Sequence, residues 1–249
     1  MLTASVSAAA TEFYYFNPDS TQSNLANLKR DMDAMLAGAS APITFQPFAR
    51  LRDFDQKVLE GKPAFLLLPA WYLQEGDNLR KFKPLLVSKR QGSSTYRKVL
   101  LVSRQSEISV HDLGRKTIAM TSMGPEGHKL LNKIIFSHHG LDSRQLNIVI
   151  TSKDSDALFA LALQQVDAAL VSKDNLELIG EINPRIPQAV RPLAESDPIP
   201  LPIVCYTRET IPPTEVEEVK RIFLNGQQGR KNSNLMDRLQ FEVWQNDTP

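Results

Sequence analysis

Residues 146–172 read LNIVITSKDSDALFALALQQVDAALVS, and the order of apolar and polar residues in this stretch decides the fold class. The run at 146–151 is apolar and rich in β-branched residues, which is typical of a strand. A polar turn follows it, and the next segment has the length and apolar content of a helix. VDAALVS at 166–172 then predicts a second strand. Strands that alternate with helices predict an α/β protein with mainly parallel sheets.

The same alternation runs through the rest of the chain. Aromatic or apolar runs predict strands, and leucines or methionines at helical spacing predict helices. We expect Asp53 to be the N-cap of a short helix and Gly61 to end it. The predicted strands lie at 13–16, 43–48, 64–69, 96–104 and 201–207, with another at the end of VHDLGRKTIAMTS. The predicted helices lie at 25–36, 53–60, 126–139 and in DNLELIGEI, TEVEEVKRIFLNG and SNLMDRLQFEVW.

Two irregular segments bracket the middle of the chain. SKRQGSST at Ser88–Thr95 is rich in residues that break regular structure, and 182–202 carries six prolines, which makes it too interrupted for a helix. We therefore expect the chain to cross between two lobes at these points. The predicted lobe 1 comprises 11–94 and 204–249, and the predicted lobe 2 comprises 95–203. Each is expected to hold a mixed, mostly parallel sheet flanked by helices, with a ligand cleft between them.

Composition excludes several classes of protein. Twenty-nine basic and 28 acidic residues give a formal net charge of +1 over 249 residues, without the basic patch that nucleic-acid binding requires. No stretch approaches the roughly 18 consecutive apolar residues of a membrane span. The single cysteine, Cys205, excludes an internal disulfide, and its apolar surroundings suggest a small buried side chain. We predict no metal site, no cofactor and no catalytic residues.

The N-terminal segment MLTASVSAAA is small, apolar and uncharged, and it ends in three alanines. This pattern looks like the end of a secretory signal peptide with its small-residue cleavage site, although the charged region and most of the apolar region are missing. Residues 1–10 are therefore expected to be either a signal-peptide remnant or an unstructured leader.

The order of the elements and several phrases resemble the substrate-binding proteins of phosphate, phosphite and phosphonate ABC transporters, which have the type 2 periplasmic-binding fold. The likeness covers nearly all of the chain from about Phe13. It rests on many weak matches, which are FDQKVLEGKPAFLLLPAWYL (54–73), YRKVLLVSRQSEISVHDLGRKTIAM (96–120), DALFALALQQVDAALVS (156–172) and ESDPIPLPIV (195–204). The resemblance implies a periplasmic protein that binds a small molecule and docks on a membrane permease.

One motif departs from that family. The family has a Ser-Thr-Ser-Gly turn that opens a helix and surrounds the oxygens of a phosphonate, whereas this chain has Thr121, Ser122, Met123 and Gly124, followed by Pro125-Glu126-Gly127. The carboxylate of Glu126 would repel a phosphonate, or it could simply complement the helix dipole. The resemblance to the family therefore supports the fold of this chain more strongly than it supports a phosphonate ligand.

Four turns at the ends of predicted strands supply the candidate ligand-binding residues, because helix N-termini bind anions and ligands of α/β sheets lie beyond the carboxyl ends of strands. Several of these residues are equally good helix caps, the aromatic ones could be packing residues, and Tyr96 could be a packed hinge tyrosine. The candidates are Asn17, Asp19, Ser20, Trp71, Tyr72, Tyr96, Thr121, Ser122, Gly124, Ser152 and Asp154.

The first hypothesis is a monomeric, non-enzymatic solute-binding component of an ABC transporter, whose lobes close over a small polar or anionic molecule. A sensor or partner-docking module on the same fold is the second. The third is a small dehydratase-type enzyme, which requires a cleft acid or base with a displaced pKa, such as Glu126, His128 or Asp154.

Overall fold

The computed structural model describes residues 10–20, 24–73, 79–124, 127–209, 211–226 and 233–246. Within them the strands form a six-stranded sheet, a five-stranded sheet and a two-stranded ribbon. The strands are β1 Thr11–Phe16, β2 Ile43–Phe48, β3 Phe65–Leu68, β4 Lys83–Lys89, β5 Thr95–Tyr96, β6 Lys98–Ser103, β7 Thr117–Thr121, β8 Asn147–Thr151, β9 Ala168–Ser172, β10 Val190–Glu195, β11 Ile199–Pro200, β12 Ile203–Tyr206 and β13 Val243–Asn246. The helices are α1 Leu25–Leu36, α2 Leu51–Glu60, α3 Ala70–Leu73, α4 Gly127–Leu131, α5 Asp154–Ala162, α6 Lys173–Ile182, α7 Arg185–Ala189, α8 Pro213–Gly226 and α9 Ser233–Leu239.

The six-stranded sheet has the order β13-β4-β12-β3-β1-β2. Helices α1 and α2 connect β1, β2 and β3, which pair in parallel. Phe13, Phe45 and Phe65 project from these three strands into one fully buried aromatic cluster, where Phe13 packs against both of the others. Aromatic packing of this kind stabilises the sheet from within.

The five-stranded sheet has the order β10-β6-β9-β7-β8. Strands β8 and β9 are the two predicted from 146–172, and α5 lies between them in sequence and packs on β9 and β7. The buried side chains of Ala157, Leu158 and Leu161 belong to the hydrophobic core beneath this helix.

Both sheets are mixed, as predicted, but parallel pairing does not dominate either of them. The parallel parts are β2-β1-β3 and β9-β7-β8. The strand that follows each crossing joins its sheet in the antiparallel direction. Strand β6 pairs antiparallel with β9 and β10, and β12 pairs antiparallel with β3 and β4.

The two predicted crossing segments lie side by side. Strand β5 pairs antiparallel with β11, which places Tyr96 opposite Ile199, and the amide of Leu201 donates to the carbonyl of Ser94. The chain therefore passes from one sheet to the other and back through a single hydrogen-bonded ribbon.

Several local predictions were wrong. The proline-rich segment contains α7 and the edge strand β10, and FEVW lies in β13 and the turn before it, not in a helix. Strand β4 was not predicted. The N-cap of α2 is Arg50, with Asp53 in the first turn, whereas α1 is capped by Asn24, whose side chain accepts from the amide of Asn27. No helix in the described parts of the chain has the length and apolarity needed to cross a membrane.

Candidate functional site

A group of buried polar side chains joins the two sheets, and its centre is the carboxylate of Asp19. Tyr96 donates its hydroxyl to one oxygen of this carboxylate (2.6 Å), and the other oxygen accepts from Lys98 Nζ (2.7 Å) and Thr121 Oγ1 (2.8 Å). We call the group the junction cluster, and its members are Asp19, Tyr96, Lys98, Thr121, Asp154 and Asn175.

Strand ends position these side chains. Asp19 follows β1 in a turn that Asn17 closes by accepting the Asp19 amide through its side chain. Thr121 is the last residue of β7, and Asp154 is the first residue of α5. In α/β sheets the ends of strands meet at one edge, where ligands commonly bind. Polar side chains from both sheets therefore converge at the place where such folds hold small molecules.

The ammonium group of Lys98 is completely buried and lies between two carboxylates. Its Nζ is 2.7 Å from an Asp19 oxygen and 3.8 Å from Asp154 Oδ1. Burial disfavours the charged form of Lys98, but the negative charges of Asp154 and Asp19 outweigh it and raise the pKa of the lysine. Burial likewise opposes ionisation of Asp19, yet Lys98 and the hydrogen bonds from Tyr96 and Thr121 hold the pKa of Asp19 below its usual value.

Asp154 has a different environment from Asp19. Its Oδ2 accepts from the Ser172 amide and from Asn175 Nδ2, both at 2.8 Å, whereas its Oδ1 has no hydrogen-bond donor among the described residues. Burial raises the pKa of Asp154 to about 6, although the charge of Lys98 acts in the opposite direction. The side chain of Asn175 also donates to the Asp19 carbonyl (2.9 Å), which ties α6 to the loop after β1.

Tyr96 and Asp19 of the junction cluster also line a small cavity. Burial and the charge of Asp19 raise the pKa of Tyr96 well above its usual value, so its hydroxyl is a donor at neutral pH. The cavity of about 10 Å³ holds roughly one water molecule, and Asn17, Arg90, Ser172 and Phe241 line it with Tyr96. Arg90 also bridges the two sheets, with Nη1 at 3.1 Å from an oxygen of Asp174 in α6.

Comparison with known proteins identifies the family to which the fold around this site belongs. Residues 13–247 match the family model described as the periplasmic phosphonate substrate-binding protein of ABC transporters. The chain belongs to this family. The match confirms the resemblance found in the sequence, and it extends over both sheets. No curated protein sequence matches the chain.

Several solved structures are similar to this chain in fold. A binding-protein component of an ABC phosphonate transporter from Pseudomonas aeruginosa is 14% identical, with a TM-score of 0.76 over 96% of this chain and 81% of that one. PhnD1 from Prochlorococcus marinus, solved with methylphosphonate, is 10% identical, with a TM-score of 0.73 over 95% and 92% of the two chains. A Xanthomonas citri protein solved with ATP is 13% identical, with a TM-score of 0.74 over 97% and 92%. Because the identities are this low, these likenesses show a shared type 2 fold and nothing more.

In this member of the phosphonate-binding family, four predicted site residues lie in the junction cluster: Asp19, Tyr96, Thr121 and Asp154. Asn17 lies beside them, in the cavity lining. Asp19 and Ser20 do not cap α1, which begins at Leu25. Ser20 is buried, and its amide donates to the Asn17 carbonyl within the same turn.

Of the other predicted site residues, some lie beside the junction cluster and others lie outside it. Trp71 is buried beside the Tyr96 hydroxyl and therefore lies next to the junction cluster, and its indole Nε1 has no hydrogen-bond partner among the described residues. The Tyr72 hydroxyl instead donates to Asp55, and its ring packs against Phe54 in the aromatic core, away from the cluster. Ser152 is exposed. Neither Tyr72 nor Ser152 is therefore a member of the junction cluster.

The turn after Thr121 opens towards a second surface. Ser122 Oγ accepts from the amide of Gly124, which adopts φ = 82°, a backbone conformation that favours glycine. Both residues line a groove of about 260 Å³ together with Met123, His128 and Ile150. Thr121, and not Ser122, is the residue of this turn that reaches Asp19, and Glu126 lies outside the described residues.

Sequence reasoning missed Lys98 and Asn175. Lys98 stands at the start of an apolar strand, where lysines usually reach solvent, and its partner Asp19 is 79 positions away. Asn175 lies in an otherwise ordinary amphipathic helix. The one sequence feature that points to Lys98 is a charged residue at the start of an apolar strand.

Proposed function

We propose that the chain is the exported, periplasmic solute-binding component of an ABC transporter. It binds a small polar or anionic molecule, phosphonate-like or related, in a cleft between lobe 1 (11–94 and 204–249) and lobe 2 (95–203). It acts as a monomer without catalysis, and it docks on a membrane permease when the lobes are closed.

The observation that carries the proposal is the convergence of polar groups from both sheets on one buried point. Asp19 belongs to the six-stranded side, whereas Thr121 and Asp154 belong to the five-stranded side. Buried polar and charged groups are costly unless they are paired, so their concentration at one junction of the fold is typical of a binding site. The hydrogen-bonded ribbon of β5 and β11 supplies a hinge about which the lobes can part.

A direct test is native mass spectrometry of protein purified from its own host, followed by calorimetry with the small molecule that co-purifies. Two tyrosines provide a matched pair of variants. Tyr96→Phe removes a hydroxyl from the junction cluster, and Tyr72→Phe removes one that binds Asp55. We expect Tyr96→Phe to weaken ligand affinity by at least about tenfold, since a hydrogen bond to a charged group contributes about 1.5–3 kcal/mol, and Tyr72→Phe to leave it unchanged. The absence of any bound molecule, or equal effects of the two variants, would contradict the proposal.

One observation favours an enzyme as the second candidate, because Asp154 is a buried acid with a pKa of about 6. Its Oδ2 is, however, held by Ser172 and Asn175, which fits a structural role within the cluster. Incubation of the co-purified molecule with the protein, followed by NMR, distinguishes the two functions, since a binding protein returns the molecule unchanged.

A further inference from the structure

The donors around Asp19 are arranged as they would be around a bound acid group. Tyr96, Lys98 and Thr121 deliver three short hydrogen bonds to the two oxygens of one carboxylate. Charge-assisted hydrogen bonds of this length are among the strongest in proteins, and they suit carboxylate, phosphonate and sulfonate oxygens alike. All three donors belong to the continuous segment 96–121 of the proposed lobe 2.

The carboxylate itself comes from the other side of the junction. Asp19 belongs to the loop after β1 in the proposed lobe 1, and its side chain remains 12% exposed, whereas Lys98 is fully buried. When the lobes part, the three donors stay together and Asp19 moves with lobe 1. The three donors therefore keep their arrangement without Asp19.

Charge balance limits what can enter. Lys98 supplies one positive charge, while Asp19 and Asp154 supply two negative charges within 3.8 Å of it. A further acid group beside an undisplaced Asp19 would place three carboxylate-like groups around one ammonium, and like charges at such distances are strongly unfavourable. Exchange of one acid group for another keeps the balance.

We propose that Tyr96, Lys98 and Thr121 form an oxyanion subsite, that the Asp19 carboxylate occupies it as an internal ligand, and that the acid group of the transported molecule displaces Asp19. This inference rests on the proposed function and assigns its anion-binding residues. Asp19 thereby sets the affinity, since every ligand must compete with it, and it holds the lobes together through the same bonds.

Calorimetry with methylphosphonate and inorganic phosphate tests the competition. Asp19→Asn keeps the shape of the side chain but removes the competing charge, so we expect it to bind these anions at least about tenfold more tightly than the unmodified protein. Lys98→Met should bind neither anion. Equal or weaker binding by Asp19→Asn would overturn the inference, while ligand binding that still depends on Tyr96 would leave the proposed function intact.

A second measurement does not require the transported molecule. Asp19→Ala leaves Lys98 without its nearest counter-ion, so formate or phosphate should raise the melting temperature of this variant more than that of the unmodified protein. Asp167→Ala is the matched control, because Asp167 accepts from the Thr117 amide and lies 3.5 Å from Lys116 on the surface. Equal responses of the two variants to formate would overturn the inference. If Asp19→Ala does not fold even in formate, the subsite is likewise refuted, since an anion there should restore the lost charge.

Discussion

Replacement of Lys98 with methionine tests the electrostatic basis of the junction cluster. The methionine fills most of the volume of the lysine stem, so the main change is the loss of one buried positive charge. Asp19 and Asp154 then remain buried, close to each other, without a cation between them. We expect the variant to be destabilised and its stability to depend strongly on pH.

The magnitude follows from the distances. With an effective dielectric constant of about 20, charges at 2.7 Å and 3.8 Å attract by roughly 6 and 4 kcal/mol. The net loss is smaller, because a carboxyl group takes up a proton when the cation is removed, and Asp154 already has a pKa of about 6. Removal of one partner from a buried ion pair typically costs about 3–5 kcal/mol, and we expect a loss in this range near neutral pH.

The pH dependence has a definite sign. Without Lys98 the folded state of the variant binds protons more tightly at Asp19 and Asp154 than the unfolded chain does, so its unfolding free energy decreases as the pH rises. The deficit relative to the unmodified protein should therefore be smaller near pH 5 than near pH 8.

Urea denaturation followed by tryptophan fluorescence measures this effect, with Trp71 next to the cluster as a reporter. Lys116→Met is the matched control, because the Lys116–Asp167 pair is partly exposed and should contribute less than about 1 kcal/mol. If Lys98→Met is no more destabilising than Lys116→Met, or its deficit does not change with pH, Lys98 is not the counter-ion of the two carboxylates.

Two further predictions concern single side chains. The rise of the Asp154 pKa from 3.8 to about 6 on folding should lower the unfolding free energy by about 3 kcal/mol as the pH rises from about 4 to 6, and Asp154→Asn should flatten this part of the stability profile, measured by urea denaturation. An unchanged profile in the variant would contradict the role of Asp154. Ser122→Ala removes the acceptor of the Gly124 amide from the turn that follows Thr121, so it should weaken ligand binding measurably in calorimetry, whereas Cys205→Ser, in the buried strand β12, should not. Unchanged affinity for Ser122→Ala would show that this turn does not contribute to the site.

The fold could be predicted where a segment carries its own pattern. The order and type of the strand, helix and strand of 146–172 were correct. Helix α5 and strand β9 bury apolar residues that the sequence displays, whereas β8 lies at the edge of its sheet and leaves Val149 and Ile150 exposed. Elements that depend on distant partners were missed or misread. Strand β13 acquires its conformation by pairing with β4 more than 150 positions earlier, and β10 tolerates Pro192 because it is an edge strand with an irregular register at that point.

The same distinction explains what could be predicted of the site. Asp19, Thr121 and Asp154 are polar residues at the ends of strands or the start of a helix, and this local position is visible in the sequence. Lys98 is buried against Asp19, which lies 79 positions earlier in the sequence, in the loop after β1. The lysine at the start of an apolar strand is a weak local signal for such a contact, since this strand differs little from one with a solvent-exposed lysine.

The difference between fold and subsite also bears on ligand selection. Relatives with 10–14% identity share the framework, because apolar cores tolerate extensive substitution if their pattern is kept. A subsite depends instead on particular atoms, and the charged donor of the proposed subsite is the buried ammonium of Lys98, whereas the turn at 121–124 lacks the serine-rich sequence that the family resemblance implies. An ammonium attracts charge from any direction, whereas hydroxyls and amides select geometry. The subsite should therefore recognise an acid group mainly by its charge, so that the rest of the ligand must be selected by the surrounding residues of both lobes.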